Sequence, residues 1–129
     1  MESPSGFNAL HYAAFQNNPK TIEILLSFGA NTHQQNKQGI NVLHMAAQSN
    51  AVYSLSFFLR NSALLVDSRD KSQSTPLHWA SQSLSYEVVR YLIAWGANVD
   101  AVDDRGYTPL HLVVKNAMND PLSAIDILR

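Results

Sequence analysis

At 129 residues the chain has the length of one ordinary domain. Hydrophobic residues make up 46% and charged residues 15%, which excludes a disordered chain and points to a folded, soluble one. Nine Lys and Arg against ten Asp and Glu leave a net charge of -1, which excludes a basic field for nucleic acid, and the lack of cysteine excludes disulfides and thiolate chemistry.

In chain order, the first predicted element starts at "GFNALHYAA", Gly6 to Ala14, where Asn8 has the chemistry of a helix N-cap and Leu10 leads a short helix. A loop follows, then a second helix with apolar spacing at Ile22, Leu25 and Leu26, closed by Gly29 as a left-handed C-cap. His33 falls in the next loop and reads as a solvated polar residue.

"GINVLHMAA", Gly39 to Ala47, begins the same sequence of elements again, with Asn41 as cap and Leu43 as lead residue. "LSFFLRNSAL" from Leu55 supplies its second helix, whose end is expected to be irregular: Ser62 stands where the first unit has Gly29, and one extra residue falls near Leu64-Leu65. "STPLHWAS", Ser74 to Ser81, starts a third unit with Thr75 as cap and Pro76 at the first helical position, where a missing N–H costs nothing. Gln73 occupies the place held by Gly6, Gly39 and Gly106, a strained choice if the position needs positive φ. "VRYLIAWGAN" from Val89 forms the second helix through Leu92 and Ile93, ending at Gly96. Trp95 before it is expected to pack on the next unit rather than stand as an outer contact.

The fourth unit, "GYTPLHLVV" from Gly106 to Val114, follows Asp103-Asp104-Arg105-Gly106, whose residues suit a hairpin-like loop. Thr108, Pro109 and Leu110 repeat the cap and start. An insertion around Asn116 to Pro121 precedes "SAIDILR", and Asp120 before Pro121 predicts a fresh helix start. The chain stops within that last helix at Arg129, leaving Ile125, Ile127 and Leu128 without a following unit, so a longer parent protein is expected.

The histidines of the four units stand at 11, 44, 78 and 111, separated by 33, 34 and 33 residues. Neither helix of a unit can bury its face alone, so the units must stack, and small pairs such as Ala13-Ala14 and Ala46-Ala47 allow close approach. A period near 33 with a Thr-Pro-Leu-His core resembles the ankyrin repeat over essentially the whole chain. The expected fold is all-α: an ankyrin-repeat solenoid of helix-turn-helix units joined by β-hairpin-like loops, a single domain over 1–129 with repeats near 3–35, 36–69, 70–102 and a truncated 103–129.

The four histidines do not read as metal ligands. Two nitrogens on one zinc must lie within about 4 Å of each other, whereas stacked helices are about 8–10 Å apart. The family resemblance implies instead that His11, His44, His78 and His111 hydrogen-bond between backbone segments and brace neighbouring repeats. No metal and no cofactor is expected, and no catalytic residue either: there is no Cys nucleophile, no G-x-S-x-G elbow and no phosphate-cradling glycine loop, and Asp103-Asp104 reads as a hairpin feature rather than an acid/base dyad.

The resemblance also implies a concave surface for a protein or peptide ligand. The residues following the histidines are Tyr12, Met45, Trp79 and Leu112. The first three suit an apolar or aromatic anchor, and burial as ordinary core is the equal alternative. Trp79 is the residue most expected to make contact: Trp79→Ala is expected to weaken partner capture while leaving thermal stability nearly intact, and a large loss of stability would instead show that Trp79 is core. Hairpin-tip positions complete the surface: Ser5 and Phe7, Lys37, Gln38 and Ile40, Lys71, Ser72 and Ser74, then Asp104, Arg105 and Tyr107. Gln16, Gln48, Gln82 and Lys115 join them at the ends of the first helices. Lys37, Lys71 and Arg105 recur along one edge and suit an acidic ligand segment, with plain solvation as the commoner use of such charges.

The expected function is a non-catalytic protein-interaction module, monomeric and cytoplasmic. No Asn-x-Ser/Thr glycosylation acceptor occurs, runs such as 55–59 are too short to span a bilayer, and the opening Met-Glu-Ser-Pro-Ser-Gly does not read as a signal peptide. A second reading rests on "TPLHWA", "YLIAWGANVD", "GYTPLHL" and "LHMAAQ", which look like the ankyrin region of the DHHC-type protein S-acyltransferases. It implies a substrate-recruiting domain on the cytoplasmic face of a membrane enzyme. Nucleic-acid or nucleotide binding finds no support in the near-neutral charge.

Overall fold

Each Asn/Thr-x-x-His stretch starts a helix because two residues three apart satisfy each other's backbone. In α1 (Ala9–Gln16) the Asn8 side chain accepts from the His11 N–H, while the Asn8 N–H donates to His11 Nδ1. The same box opens α3 (Val42–Gln48) from Asn41 and His44, α5 (Pro76–Gln82) from Thr75 and His78, and α7 (Pro109–Asn116) from Thr108 and His111. Histidine thus takes the role that Glu or Gln usually has in a capping box. Pro76 and Pro109 begin their helices as expected.

The structure, a computed structural model, describes residues 6–117, which hold seven helices and no strand. The second helices are α2 (Pro19–Ser27), α4 (Val52–Asn61) and α6 (Tyr86–Trp95). First helices pack side by side in the order α1, α3, α5, α7, and each of the first three also packs on the second helix of its own unit. Ser5, the expected helix start at Asp120-Pro121 and the "SAIDILR" stretch lie outside the described residues.

One core runs through α1 to α6. Leu10, Ile22, Leu43, Leu55, Phe58, Leu77 and Leu92 are fully buried in it. Ala13, Ala14, Ala46, Ala47 and Ala80 line the first helices and let them approach. Ser81 stands in register with Ala14 and Ala47; it is fully buried, and its hydroxyl has no hydrogen-bond partner among the described residues. Leaving such a group unsatisfied costs about 1–3 kcal/mol. Ser81→Ala is therefore expected to raise stability by about 1 kcal/mol in urea unfolding, and a loss of stability in that variant would contradict the assignment.

Whereas α2 is capped by its own Asn18, which accepts from the Thr21 N–H, α4 and α6 are capped from the preceding unit. Neither Ala51 nor Ser85 caps its own helix with a side chain. Instead Asn17, in the left-handed region at the end of α1, accepts from the Ser54 N–H at 2.9 Å, and Asn50 accepts from the Val88 N–H at 3.0 Å. The third unit has Leu84 at this left-handed position, where it trades the cap for packing with Val113 and Ala117.

The hairpin loops are tied by one Asx residue each. Asn36, Asp70 and Asp103 stand eight residues before His44, His78 and His111. Asp70 Oδ1 accepts from the Ser72 and Ser74 N–H groups, Asp103 Oδ1 from those of Arg105 and Tyr107, and Asn36 Oδ1 from those of Gln38 and Ile40. Backbone bonds from Lys71 N–H to Gln38 O and from Asp104 N–H to Ser72 O join consecutive hairpins. That close approach explains Gly39: at φ 77° an added Cβ would sit 3.2 Å from Lys71 N. Gln73 does adopt the left-handed backbone, at φ 61°, at a cost of about 1–2 kcal/mol. Helix ends follow the expected pattern: Gly29 and Gly96 are left-handed, while α4 ends on an extended Ser62 whose hydroxyl caps Phe58 O.

Candidate functional site

The capping boxes also aim the histidines. With Nδ1 accepting from the cap N–H, the ring proton sits on Nε2 and points to the next unit. His11 Nε2 donates to Ile40 O at 3.1 Å, His44 Nε2 lies 3.1 Å from both Ser68 O and Ser74 O, and His78 Nε2 donates to Tyr107 O at 2.9 Å. These rings are spent on bracing hairpins, as the resemblance implied. No group of three or more His, Asp or Glu able to hold a metal occurs among the described residues.

The residues after the histidines share a register but not an environment. Tyr12 is 46% exposed and meets the Phe7 ring edge-on, whereas Met45 is 6% exposed and Leu112 3%. Met45 therefore sits in the core and does not present a surface anchor. Trp79 lies between these cases. Its ring packs on the core and stands 5.5 Å from the His44 ring, and its indole N–H donates to Asp70 Oδ2 at 3.0 Å. Both oxygens of Asp70 are engaged as a result: one holds its hairpin and the other holds the indole.

Trp79 forms one wall of a cleft of about 510 Å³ between the first helices and the hairpin tips. Gln48, Gln82 and Ser83 line it from the helix ends, Asp70, Ser72, Ser74, Asp103, Asp104 and Arg105 from the hairpins, with His78 and Leu112 also at its walls. Of the sequence-nominated residues the cleft gathers Gln48, Ser72, Ser74, Trp79, Gln82, Asp104, Arg105 and Leu112; Tyr12, Met45, Lys37, Lys71 and Tyr107 lie outside its lining. Lys37 and Lys71 are exposed hairpin residues that do not line it. Tyr107 instead takes two cations on its ring, Arg105 at 5.1 Å and Lys115 at 5.3 Å from the centroid.

Three aspartates and one arginine give the cleft an acidic character, opposite to the acidic-ligand expectation from the lysine edge. Asp103 is held in its charged form: burial pushes its carboxyl up, but the Tyr107 and Arg105 N–H groups, His78 and the Arg105 guanidinium bring it below the ordinary aspartate value. Asp70 and the capping Asn17 and Asn50 were not singled out from sequence, although the Asx recurring eight residues before His44, His78 and His111 was a readable signal.

Comparison with known proteins agrees with the repeat architecture. A family model described as ankyrin repeats (3 copies) matches residues 10–103 and 65–128. The chain is 33% identical over 122 residues to inversin of Canis lupus familiaris, covering 94% of this chain and 11% of that protein. It is 36% identical over 111 residues to the tyrosine-protein kinase Shark of Drosophila melanogaster, covering 84% and 12%. To the putative palmitoyltransferase ZDHHC13 of Danio rerio it is 31% identical over 100 residues, covering 78% and 15%. The chain thus spans between a tenth and a sixth of the length of these relatives.

Proposed function

We propose, because the chain belongs to the ankyrin-repeat family, that its concave face binds a segment of a partner protein and that the Trp79 cleft is the centre of that contact. Ankyrin repeats are protein-interaction modules rather than catalysts. The observation that carries the reading is the cleft itself, which collects an aromatic wall, two glutamine amides and an arginine at one concave place. Tyr12 and the hairpin positions Lys37, Lys71 and Tyr107 extend the surface along the stack, and Met45 supports it from beneath. The domain acts as a monomer in the cytoplasm. No helix among the described residues is long and apolar enough to cross a membrane.

Gln48 and Gln82 are the variants of choice for the test, because both are exposed and their truncation spares the core. The double variant Gln48→Ala with Gln82→Ala is expected to lose partner capture at least about five-fold, with a thermal midpoint close to that of the parent. Undiminished capture by that variant would overturn the assignment of the cleft.

A second reading is favoured by the relatives named as palmitoyltransferases, among them the Danio rerio protein and the palmitoyltransferase AKR1 of Lachancea kluyveri, 34% identical over 106 residues. In it the repeats form the cytoplasmic substrate-recruiting domain of a membrane-bound DHHC-type S-acyltransferase. An Asp-His-His-Cys motif flanked by hydrophobic spans in the parent open reading frame would support it, and a parent without that motif would end it.

A further inference from the structure

We propose that the cleft selects an arginine side chain of a basic peptide segment, seated on Asp103 and Asp104 beside Trp79; this rests on the concave-face reading above. The first support is charge. The whole chain is near neutral at -1, yet three carboxylates and one guanidinium line this one cleft, and the lysines of the hairpin edge are not among the lining residues. A cationic side chain is the complementary guest.

The second support comes from comparing two repeats in register. Asp70 and Asp103 are equivalent, both buried, and each spends Oδ1 on its hairpin. Nine residues after Asp70 stands Trp79, whose indole N–H satisfies the other oxygen; nine residues after Asp103 stands Leu112, which has no donor. Asp103 Oδ2 accepts no hydrogen bond among the described residues, where its one ion-pair partner is Arg105 at 3.8 Å. The Asp103 side chain is only 2% exposed, yet Oδ2 is not among the buried polar atoms without a partner, so it stays open to a donor that enters the cleft. Asp104, next to it on the rim, is exposed.

Arginine fits this arrangement better than lysine. A planar guanidinium carries several N–H donors in one plane, so it can serve Asp103 Oδ2 and the Asp104 carboxylate together while its face meets the indole. Arg105 shows the same chemistry within the chain. Its guanidinium leans over the Tyr107 ring and toward Asp103, and its side chain is 63% exposed, so it can yield its place to a guest. Gln48 and Gln82 are then placed to hydrogen-bond the backbone of the segment that carries the arginine.

The test uses the full chain and three acetylated, amidated nonapeptides, (Gly-Ser-Arg)₃, (Gly-Ser-Lys)₃ and (Gly-Ser-Glu)₃, titrated at low salt with the Trp79 indole and the 103–105 amide signals followed by NMR. The arginine peptide is expected to shift those signals and to bind at least about five-fold tighter than the lysine peptide. Its affinity is expected to fall at least about five-fold in Asp104→Asn and in Asp103→Asn, and again in about 0.5 M salt. Asp103→Asn should keep its hairpin, because Asn36 holds the equivalent one. Equal binding of the lysine or glutamate peptide, or arginine-peptide binding unaffected by both variants, would overturn the proposal. Signals that shift with every peptide leave the concave-face reading standing and remove the arginine preference. If the arginine peptide shifts nothing and the Gln48/Gln82 double variant captures its partner normally, both readings fall.

Discussion

His44→Ala lowers the stability of the chain by about 4 kcal/mol, the largest loss expected from any single truncation of a repeated polar residue. The ring is fully buried and serves both sides of a repeat boundary. Nδ1 takes the Asn41 N–H, closing the capping box of α3, while Nε2 serves the carbonyls of Ser68 and Ser74 in the next hairpin. Alanine leaves a cavity beneath Trp79 as well as buried polar groups without partners. Each unit is stable only against its neighbours, so the loss should appear as a lower urea midpoint for the whole stack. A change below about 1 kcal/mol would show that the ring is not the brace.

The same residue sets a pH dependence. Burial lowers the His44 pKa, and this outweighs the upward pull of the Ser74 carbonyl, the Asp70 charge and the Ser68 carbonyl; His11 adds to the lowering. Above the unfolded value of 6.5 both folded and unfolded chains hold the ring neutral, and the brace contributes in full. As the pH falls below that value the unfolded chain takes up a proton that the folded one refuses. Stability therefore declines, by at most about 1.4 kcal/mol per pH unit, until the lower folded pKa is reached. Thermal midpoints between about pH 7 and pH 5 should fall more steeply for the parent than for His44→Ala. Parallel profiles would remove His44 as the titrating group.

The local grammar of each unit was legible because its partners are close in sequence. Thr75, Pro76 and His78 lie within one turn, so residue types alone imply cap, first helical position and lead turn. What escaped were contacts whose two ends are far apart. Asn17 reads as an ordinary loop residue until Ser54, 37 positions on, is seen to need its oxygen. Asp70 and Trp79 are only nine positions apart, yet they meet only once the hairpin has folded back over α5. The stripe of Tyr12, Met45, Trp79 and Leu112 divides for a related reason. Register fixes the direction of a side chain, but neighbouring units decide what covers it: Met45 and Leu112 are covered, and Tyr12 is not.

Trp79→Ala is the variant on which this distinction turns. From sequence it is expected to weaken partner capture while sparing stability; the contacts of the indole lead us to expect a loss of about 3 kcal/mol as well. Part of the loss is packing, since the ring lies against the core and beside His44. The rest is electrostatic: among the described residues the indole N–H is the only donor to Asp70 Oδ2, and Asp70 is buried, so truncation strands a carboxylate oxygen. Trp79→Phe separates the two contributions. It keeps most of the packing and removes the donor, and is expected to cost about 1–2 kcal/mol in urea unfolding. Adding Asp70→Asn to Trp79→Phe should recover part of that cost, because the stranded charge is gone while Oδ1 still ties the hairpin as Asn36 does in the preceding unit. If Trp79→Ala instead unfolds at the parent's urea midpoint, the indole is a surface anchor and the sequence expectation holds. A binding defect in that variant is therefore evidence about the interface only after the stability loss has been subtracted, and the exposed Gln48 and Gln82 are free of that correction.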